Sequence, residues 1–331
     1  MPSRPDADDP RLGEVPEGRI LRAILSRTPA ASHALIGPGD DAAVIATPSG
    51  SVVATTDTLV HGPDFRLAWS SGYDLGWKSA AVNLADVAAM GARPTALLVA
   101  LAVPRELRVS FVERLADGFR DACAALAPGC AVVGGDLTVS DTLTVAVTAL
   151  GDLEGRAAVT RSGARPGDVV AVAGELGHAA RGLAVLFGRF RDGDVPVPVD
   201  PAALAAGESE AVKAQLRPSP PIGLGAVAAT AGATAMMDIS DGLALDARRM
   251  AAASGVTIAL DSALLGADPA RALAGGEDHA LLATFPEGLL PPAFRAIGRV
   301  RAAGDEDLLC DEQPVDLSGW DPYRDWDSAA G

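Results

Sequence analysis

Acidic residues stand beside turn formers at several points of this sequence, and the first group lies in the stretch 36–57, IGPGDDAAVIATPSGSVVATTD. Two apolar, β-prone runs flank Thr-Pro-Ser-Gly at 47–50, which predicts a β-hairpin. Paired residue numbers in such a hairpin sum to about 97, so Asp41 is expected almost opposite Asp57, with Asp40 beside them. Three carboxylates this close repel one another unless a cation lies between them, and oxygen ligands suit Mg²⁺. A turn capped by Asp40 and Asp41 is the alternative.

Further acids occur in a predicted helix and in glycine-containing turns. The run YDLGWKSAAVNLADVAAM, residues 73–90, predicts a largely buried helix ended by Gly91, in which Asn83 and Asp86 share a face. Because an ionised Asp in such a helix needs a partner, Asp86 is a candidate metal ligand, and pairing with an arginine is the alternative. The acidic turns are Gly134-Gly135-Asp136, Asp238-Ile239-Ser240-Asp241-Gly242 and Gly275-Gly276-Glu277-Asp278.

The acids at element ends form one expected constellation. Its members are Asp40, Asp41, Asp57, Asp86, Asp136, Asp238, Asp241 and Glu277. This much negative charge around one core implies several divalent cations, and Mg²⁺ ions with oxygen ligands indicate phosphoryl transfer from a nucleotide. A Walker A loop is excluded, because no Gly-Lys-Ser/Thr triplet occurs and Lys78 and Lys213 are the only lysines. Arg161 lies in a polar loop and is a candidate phosphate contact, with a plain surface position as the alternative.

A general base is not expected. The four histidines are scattered, and no Ser-His-Asp arrangement is evident in the sequence. If the acceptor is itself a phosphate, with a second pKa of about 6, it is already an ionised nucleophile at neutral pH. Such a reaction needs positioning and charge neutralisation, so we assign no catalytic acid or base.

Length and composition bound the class of protein. The chain has 331 residues, 49% of them hydrophobic, and a formal net charge of −16. It is long enough for two domains, and the negative charge argues against nucleic-acid binding. No apolar run reaches the length of a membrane span and the N-terminus has no signal-type apolar region, so a cytoplasmic protein without a membrane partner is expected. Three cysteines without metal-type spacing are expected to be free thiols.

The order of predicted elements gives an α/β protein of the α+β type with two α/β domains. Residues 1–14 are expected to be a disordered tail, 15–152 the N-terminal nucleotide- and Mg²⁺-binding domain, 153–323 the C-terminal domain and 324–331 a second tail. The main predicted elements are helices at 17–27, 73–90, 106–127, 178–190 and 221–231 and strands at 95–103, 130–136, 142–152 and 169–173. A last helix and an edge strand are expected before the C-terminal tail.

The motifs GDDAAVI, TTDTLV, AAVNLADVAAMGA, GGD, TRSGARPGD, DISDGL and GGED resemble, in order and spacing, those of the bacterial thiamine-monophosphate kinase family. That family belongs to the superfamily of aminoimidazole ribonucleotide synthetase and selenophosphate synthetase, and the resemblance spans about residues 15–323. DISDGL and GGD indicate only the superfamily, whereas NLADVAAMGA, TRSGARPGD and GGED together point to the kinase. The resemblance implies direct transfer of the ATP γ-phosphate to thiamine monophosphate, which gives thiamine diphosphate and ADP. It also implies an N-terminal sheet that pairs two copies into a homodimer.

The resemblance also implies roles for individual residues. The expected ligands of several Mg²⁺ ions are Asp41, Thr55, Thr56, Asp57, Asp86, Asp136, Asp238 and Asp241. The expected ATP contacts are Gly135, Asp136, Arg161 and Ser240, and the expected contacts of thiamine monophosphate are Asp64, Glu277 and Trp320.

The chain departs from the family's pattern at three positions. Similar sequences have His where Asp64 stands in GPDF, which puts the substrate contact of that loop in question. Leu137 follows GGD in place of Thr, with Thr138 one position later, and Ala85 replaces Ser in NLAD. The last two changes remove no carboxylate, so metal binding is expected to be retained.

Two other functions remain open from the sequence. The chain could be another ATP-dependent enzyme of the superfamily with a different small acceptor, which the change at Asp64 favours. It could also be a non-catalytic, metal-binding scaffold of the same fold, although a scaffold has no need for the full set of carboxylates. Production of ADP with Mg²⁺ separates enzyme from scaffold, and alternative acceptors separate the two enzymes.

Overall fold

The computed structural model describes residues 9–36 and 44–315. Asp40, Asp41, Trp320, residues 1–8 and residues 316–331 lie outside the described residues. Residues 9–14 of the predicted N-terminal tail are described: a 3-10 helix spans Leu12–Glu14, and the backbone N–H of the buried Leu12 donates to Leu107 O (2.8 Å). The strands are β1 (Ala34–Ile36), β2 (Val44–Ile45), β3 (Val53–Val60), β4 (Arg93–Val103), β5 (Val132–Val139), β6 (Thr144–Asp152), β7 (Val169–Ala173), β8 (Arg191–Asp192), β9 (Val195–Pro196), β10 (Ala235–Ile239), β11 (Val256–Leu260), β12 (Ala280–Phe285), β13 (Arg295–Ala302), β14 (Leu308–Cys310) and β15 (Gln313–Pro314). The α-helices are α1 (Glu17–Leu25), α2 (Gly72–Ala89), α3 (Val109–Leu126), α4 (His178–Arg189), α5 (Ala206–Leu216), α6 (Gly223–Thr230), α7 (Leu243–Ser254) and α8 (Pro269–Ala274).

The first large sheet has four strands in the order β3-β6-β4-β5, and only β4 and β5 run parallel. Apolar side chains alternate along β6, so that Val145, Val147 and Ala149 are buried while the residues between them are partly exposed. Helices α2 and α3 cover this inner face of the sheet. Asp57 pairs with Val147 across the ladder and therefore shares the inner face.

The opposite face of this sheet carries small and hydroxylated side chains. Thr56 donates to Val147 O (2.9 Å) and pairs with Thr148, and both threonines are on this outer face. Ala100 and Asp136 pair with each other and are exposed on the same face. Part of the sheet is thus open toward solvent in a single chain.

The second large sheet has seven strands in the order β10-β12-β7-β13-β11-β14-β15. Its interior strand β7 (VVAVA) is buried at every residue, as a strand covered on both faces requires. Helix α7 covers one face, and α6 with the end of α2 covers the other, where Ala89, Met236 and Phe285 join one apolar cluster. The structure is a mixed α/β architecture with two sheets, as predicted.

Helix α2 joins the two sheets, because it packs on β3, β4 and β6 of the first and on β10 and β12 of the second. Ser71 starts the helix with a capping box, in which its Oγ accepts from Asp74 N (3.2 Å) and its N donates to Asp74 Oδ2 (3.1 Å). Gly91 ends the helix at a φ of +76°, the role predicted for it. Fourteen of its eighteen residues are buried, which explains its Ala- and Gly-rich composition.

Glycines let α3 and α6 approach α2 closely. A Cβ on Gly76 would lie 2.0 Å from Leu115 O of α3, and one on Gly118 would lie 2.2 Å from Tyr73 O. A Cβ on Gly225 of α6 would lie 2.1 Å from Ala88 O. The position of α2 is therefore fixed by backbone-to-backbone contacts on two sides.

Three predictions about elements are wrong within the described residues. The hairpin at 36–57 does not form, because β2 pairs with β1 and β3 pairs along its whole length with β6. The long apolar ladder with β6 outweighs the local turn signal, so Asp57 lies opposite Val147. The GGD motif lies inside β5 and does not end it. Residues 286–315 contain no α-helix, because two consecutive prolines, Pro291 and Pro292, interrupt the predicted one.

The structure describes all three cysteines of the chain. Cys123 and Cys130 are buried free thiols and Cys310 is a half-buried one, as predicted. Within residues 9–36 and 44–315, no helix combines the length and the apolar composition needed to cross a bilayer.

We expect Gly76→Ala to lower the stability of the protein by about 1–3 kcal/mol, because the added methyl group forces α2 and α3 apart. Gly188→Ala is the matched control, since Gly188 lies in α4 and a Cβ added there would have no other atom within 4 Å. The control should be neutral or stabilising by up to about 1 kcal/mol. Urea and thermal unfolding midpoints measure both effects, and equal midpoints for the two variants would contradict the close-packing role of Gly76.

Candidate active site

The first half of the site lies where β3 meets α2. Thr55 Oγ1 donates to Asp86 Oδ2 (2.8 Å), and Asp57 N donates to Asn83 Oδ1 (3.1 Å). Asn83 in turn donates to Ser79 O (2.9 Å), so its amide is used for positioning. Thr55 and Asp57 share a face because strand residues two apart do so, and this face meets the helix. The structure therefore brings together Thr55, Asp57 and Asp86, three of the predicted site residues.

The second half of the site comes from the seven-stranded sheet. Asp238, near the end of β10, and His279, just before β12, are buried. The ring nitrogen Nδ1 of His279 lies 3.0 Å from Asp238 Oδ2, a hydrogen bond in which the ring N–H donates. Nε2 of His279 is buried and has no hydrogen-bond partner among the described residues. A buried polar atom of this kind indicates that a ligand or water completes the site.

The two halves interact electrostatically across the gap between the sheets. Burial, together with the carboxylates of Asp238 and Asp57, raises the pKa of Asp86 to about 7. Burial also raises the pKa of Asp57, with further increases from Asp238 and Asp241 and an opposing effect of His279. These residues thus form one electrostatically coupled cluster of acids.

His279 brings an imidazole into this cluster, where it contacts Asp238. Burial by itself lowers the pKa of the imidazole, but the hydrogen bond to Asp238 and the charges of Asp238 and Glu277 raise it above its ordinary value. Its φ of +52° is unusual for a residue other than glycine. A strained residue that balances buried carboxylates is typical of a functional site.

The DISDG turn is held by an acid that the sequence analysis did not select. Asp246, fully buried in α7, accepts from the backbone N–H groups of Ser240 and Asp241 (both 3.1 Å) through Oδ2. Arg249 Nη1 donates to Asp246 Oδ1 (2.7 Å) and to Asp241 Oδ2 (2.6 Å). Burial raises the pKa of Asp246 to about 6 despite these bonds. Asp246 therefore fixes the backbone at Ser240 and Asp241, Arg249 holds the Asp241 carboxylate, and Asp246 is not itself a predicted ligand.

The GGED turn crosses the DISDG turn at close range. A Cβ on Gly276 would lie 2.2 Å from Ser240 O, and Glu277 N donates to that same oxygen (2.8 Å). Glu277 has a φ of +72°, and its carboxylate forms an ion pair with Lys78 of α2. Burial by itself would raise the pKa of Glu277, but the charges of Lys78 and His279 outweigh burial and lower it. Asp278 caps α4, because its Oδ1 accepts from Ala179 N (2.8 Å).

A cavity of about 240 Å³ opens beside Glu277. Its apolar wall includes Phe65, Trp69, Leu183 and Phe187, and the rings of Trp69 and Phe187 meet edge to face at 4.9 Å. Its polar end includes Asp64, Arg66, Lys78, Ser240 and Glu277. A cavity with one aromatic wall and one charged end suits a small organic phosphate.

Asp64 occupies the loop after β3 and lines this cavity. Its Oδ2 accepts from Val60 N (2.7 Å), and its own N donates to Val60 O (3.1 Å), so the residue closes the turn. Burial, with a contribution from Glu277, raises the pKa of Asp64 although the bond from Val60 and the charge of Lys78 oppose this. The position questioned in the sequence analysis thus has a structural role in the loop and borders the cavity.

Several predicted residues lie apart from the cluster in a single chain. The side chains of Thr56 and Asp136 are on the outer face of the four-stranded sheet, opposite to the face of Asp57. Gly135 packs against β4, where an added Cβ would lie 1.9 Å from Val99 O, so strand packing accounts for this glycine. Arg161 is exposed, and its carbonyl accepts from Ser254 Oγ (3.1 Å). Asp41 and Trp320 lie outside the described residues.

The donor atoms at the cluster fit Mg²⁺ by their chemistry. Asp57, Asp86, Asp238 and Asp241 are hard oxygen donors whose mutual repulsion a divalent cation would relieve. In the part of the chain that the structure describes, no three acidic, histidine or cysteine side chains stand close enough to hold a metal ion as they are. We therefore treat the cluster as the place for metal ions, without a coordination geometry.

Sequence reasoning missed three residues of this region: Lys78, Asp246 and His279. Lys78 carried a usable signal, because it is one of only two lysines and lies in an apolar helix. Asp246 also carried one, as an acid in the first turn of a helix that follows an acidic turn. His279 carried none, since its approach to Asp238 depends on the pairing of β10 with β12.

Comparison with known proteins gives a consistent picture for both halves of the chain. The N-terminal domain model of AIR synthase related proteins matches residues 39–153, and the C-terminal domain model matches residues 165–305. Thiamine-monophosphate kinase of Mycobacterium tuberculosis (strain CDC 1551 / Oshkosh) is 39% identical over 336 residues, which are 97% of this chain and 96% of that protein. The protein of the same name from Corynebacterium glutamicum is 39% identical over 339 residues, 96% of this chain and 97% of that one.

The fold of this chain is also similar to that of a solved structure. It is described as AaThiL complexed with AMPPCP and TMP, and it superposes with a TM-score of 0.72 at 35% sequence identity. The match covers 85% of this chain and 90% of that one. The likeness therefore extends beyond either sheet alone.

We expect the stability of the metal-free protein to fall between about pH 4 and pH 7, and Asp86→Asn to reduce this fall. The pKa of Asp86 rises from 3.8 in the unfolded chain to about 7 in the folded protein. Between these two values the folded protein still binds the proton and the unfolded chain has released it, so the free energy of unfolding decreases as the pH rises. Between pH 4 and pH 7, the difference in unfolding free energy between the wild type and Asp86→Asn should change by about 1–2 kcal/mol. This is less than the free energy that corresponds to the whole change in pKa, because Asp86 is partly exposed.

Thermal and urea unfolding from pH 4 to pH 8 in a chelator measure this difference. Asp141→Asn, at an exposed position, is the control and should follow the wild type. A parallel pH dependence of the wild type and Asp86→Asn would contradict the raised pKa of Asp86.

Proposed function

This chain belongs to the thiamine-monophosphate kinase family, and we propose that it transfers the γ-phosphate of ATP to thiamine monophosphate. The products are thiamine diphosphate and ADP. The observation that carries the proposal is the meeting of Asp57 from the first sheet, Asp86 from α2 and Asp238 from the second sheet, beside a cavity with an aromatic wall. The family match over nearly the full length of the relatives supports the same reaction.

The metal ions are assigned to the cluster between the sheets. Asp57, Asp86, Asp238 and Asp241, with the hydroxyl of Thr55, are the proposed Mg²⁺ ligands that the structure brings together. Asp41 and Thr56 are also proposed from the family resemblance. Bound Mg²⁺ supplies charge neutralisation for the triphosphate and for the transferred phosphoryl group. The carboxylates must be ionised to bind it, so metal binding lowers the raised pKa of Asp86 and Asp57.

The protein's part in the reaction is positioning. The acceptor phosphate is a dianion near neutral pH and needs no base to attack. Asn83 fixes the backbone at Asp57, and Asp246 fixes the DISDG turn, so both halves of the cluster keep their place without rearrangement. The cleft excludes water where Asp238 and His279 are buried, which favours transfer to the acceptor over hydrolysis.

The cavity beside Glu277 is the proposed place of thiamine monophosphate. Phe65, Trp69 and Phe187 offer faces and edges for its rings, and Glu277 offers a carboxylate that can face its cationic ring, while Asp64 borders the same cavity. Trp320, outside the described residues, is proposed as a further aromatic contact from the family resemblance. The solved relative described with AMPPCP and TMP supports the pairing of these two ligand classes.

The nucleotide contacts and the dimer are proposed together. Ser240, at the cavity and beside the acid cluster, is the proposed ATP contact best supported by its position. Gly135, Asp136 and Arg161 are proposed from the family resemblance. Because Asp136 lies on the open outer face of the four-stranded sheet, stacking of two copies on that face would place it at a subunit interface. We therefore propose a homodimer formed through this sheet.

The domain boundaries and the cellular location also stay proposals. We propose an N-terminal domain over 15–152 and a C-terminal domain over 153–323, a division supported by the change from one sheet to the other between β6 and β7. The cytoplasmic location is an expectation from the sequence. The acceptor and the reaction do not depend on either proposal.

We expect the purified protein to release ADP from ATP and Mg²⁺ only when thiamine monophosphate is present, with thiamine diphosphate as the identified product. Asp57→Asn should reduce this turnover by about 10²-fold or more and leave the fold intact, because its charge serves the metal ions. Coupled ADP detection, product chromatography and circular dichroism measure the three quantities. Asp141→Asn, at an exposed position of the N-terminal half, is the control and should keep full turnover.

Each other outcome has a distinct meaning. Turnover with a different phosphorylated acceptor alone would move the protein to another activity of the superfamily. ATP binding without turnover under any condition would favour the scaffold. Full turnover by Asp57→Asn would refute the assignment of the metal ions to this cluster.

We expect Asp64→His to be active and to lower the KM for thiamine monophosphate by up to about fivefold. The change removes a carboxylate from a cavity that must bind a phosphate, so it removes a repulsion between two negative charges. The interaction free energy of two partly exposed charges is about 0.2–1 kcal/mol. Steady-state kinetics with either substrate varied measure the effect, and the KM for ATP should stay the same. Complete loss of activity would show that Asp64 has acquired a role of its own in this chain.

A further inference from the structure

Lys78 is a buried cation at the polar end of the cavity, in a region that the sequence analysis assigned to acids. Its side chain is 6% exposed, it forms an ion pair with Glu277, and it lines the cavity from the side of α2. With the Gln215 amide oxygen turned toward it, that oxygen lies 3.2 Å from Nζ, while the amide nitrogen lies 3.0 Å from Ala179 O. The other lysine, Lys213, is exposed on α5.

A purely structural role explains this lysine poorly. A buried ion pair is weak evidence for a stabilising function, because desolvation of both charges offsets most of their attraction. The partner Glu277 has a backbone φ of +72°, and its side chain is 40% exposed to the cavity. Strain at a residue that holds a buried charge toward an open cavity is typical of binding sites.

The choice of lysine is also informative. The chain has 27 basic residues and only two of them are lysines, so arginine is its general surface cation. An ammonium is a compact point charge with three donors that turn freely, whereas guanidinium is a flat fork. Lys78 donates into a narrow space between Glu277 and Gln215, which suits a point charge.

The acids at the polar end of the cavity would repel a phosphate unless a cation is close to them. Asp64 and Glu277 both border the cavity, and each is electrostatically coupled to Lys78. A phosphate dianion placed beside two carboxylates meets strong repulsion unless a positive charge is at hand. Arg66 lines the cavity as well, and Lys78 directly contacts one acidic residue of its wall, Glu277.

We propose that Lys78 is a binding residue of the acceptor site, whose ammonium is held by Glu277 before the acceptor enters and contacts the phosphate of thiamine monophosphate when it binds. Glu277 then faces the cationic part of the acceptor while it remains next to Lys78. The assignment rests on the proposed function and adds to it the group that recognises the acceptor's phosphate. The organic part of the acceptor keeps the aromatic wall.

The test compares thiamine monophosphate with unphosphorylated thiamine as ligands of the full-length protein. Isothermal titration calorimetry gives both affinities without ATP, and their ratio isolates the contribution of the phosphate. Lys78→Met should lower this ratio by about 10- to 100-fold, the value of a charge-assisted hydrogen bond, and leave thiamine affinity nearly unchanged. Lys213→Met is the matched control and should keep the wild-type ratio.

Two further variants protect the test against a folding defect. The double variant Lys78→Met, Glu277→Gln leaves no unpaired charge and should show the same low ratio as Lys78→Met. Lys78→Arg keeps the charge and should restore part of the ratio. Circular dichroism and ATP binding confirm that each variant is folded.

The outcomes separate this assignment from the proposed function. Equal losses for thiamine monophosphate and thiamine in Lys78→Met would show that Lys78 only shapes the cavity, and an unchanged ratio would show that it does not contact the phosphate. Either result overturns the assignment while the kinase reaction of the wild type stands. A wild type that neither prefers thiamine monophosphate over thiamine nor phosphorylates it overturns the proposed function itself.

Discussion

The burial of α2 between two sheets is the constraint on which the rest of this structure depends. The helix packs on the four-stranded sheet, on α3 and on the edge of the seven-stranded sheet, so little of its surface is left for water. A polar side chain buried on it is costly without a partner, and three of them meet partners on other elements. Asn83 accepts a hydrogen bond from the backbone N–H of Asp57, Asp86 accepts one from the Thr55 hydroxyl, and Lys78 forms an ion pair with Glu277. These three contacts join both sheets to the helix at the site.

The same helix separates charge along its length. Lys78 and Asp86 are eight residues apart, about 12 Å along the axis, with the cation beside the cavity and the carboxylate beside the acid cluster. An acceptor phosphate drawn toward the lysine would thus approach the place where acids hold a metal-bound nucleotide. The arrangement orders the two substrates by electrostatics and by shape, which is what transfer without a general base requires.

Strain and unsatisfied groups occur at the site and are held there by packing. His279 and Glu277 both adopt positive φ, and the buried Nε2 of His279 lacks a partner among the described residues. The crossing of two turns at Gly276 and Ser240 leaves no room for them to relax. These features favour an enzyme over a scaffold, because a scaffold gains nothing from strained and unpaired groups.

The sequence by itself determined the elements whose signals are local and the family to which they belong. Helix α2 with its end at Gly91, strand β7, and the candidates Asp57, Asp86 and Asp238 follow from hydrophobic period, turn residues and acids at fixed spacing. The family resemblance, carried by ordered motifs, was confirmed by the matches over both halves of the chain. Local signals suffice here because each depends only on neighbours within a few residues.

Only the tertiary structure decided which elements meet. The predicted hairpin failed because β3 pairs with β6, which lies far later in the chain, and a turn signal cannot compete with a long ladder on an apolar face. The same kind of pairing sets Asp136 on the outer face and Asp57 on the inner one, a distinction that a shift by one residue would reverse. His279 reaches Asp238 only through the ladder of β10 with β12. Long-range pairing leaves no local trace in a single sequence, which is why these contacts could not be predicted.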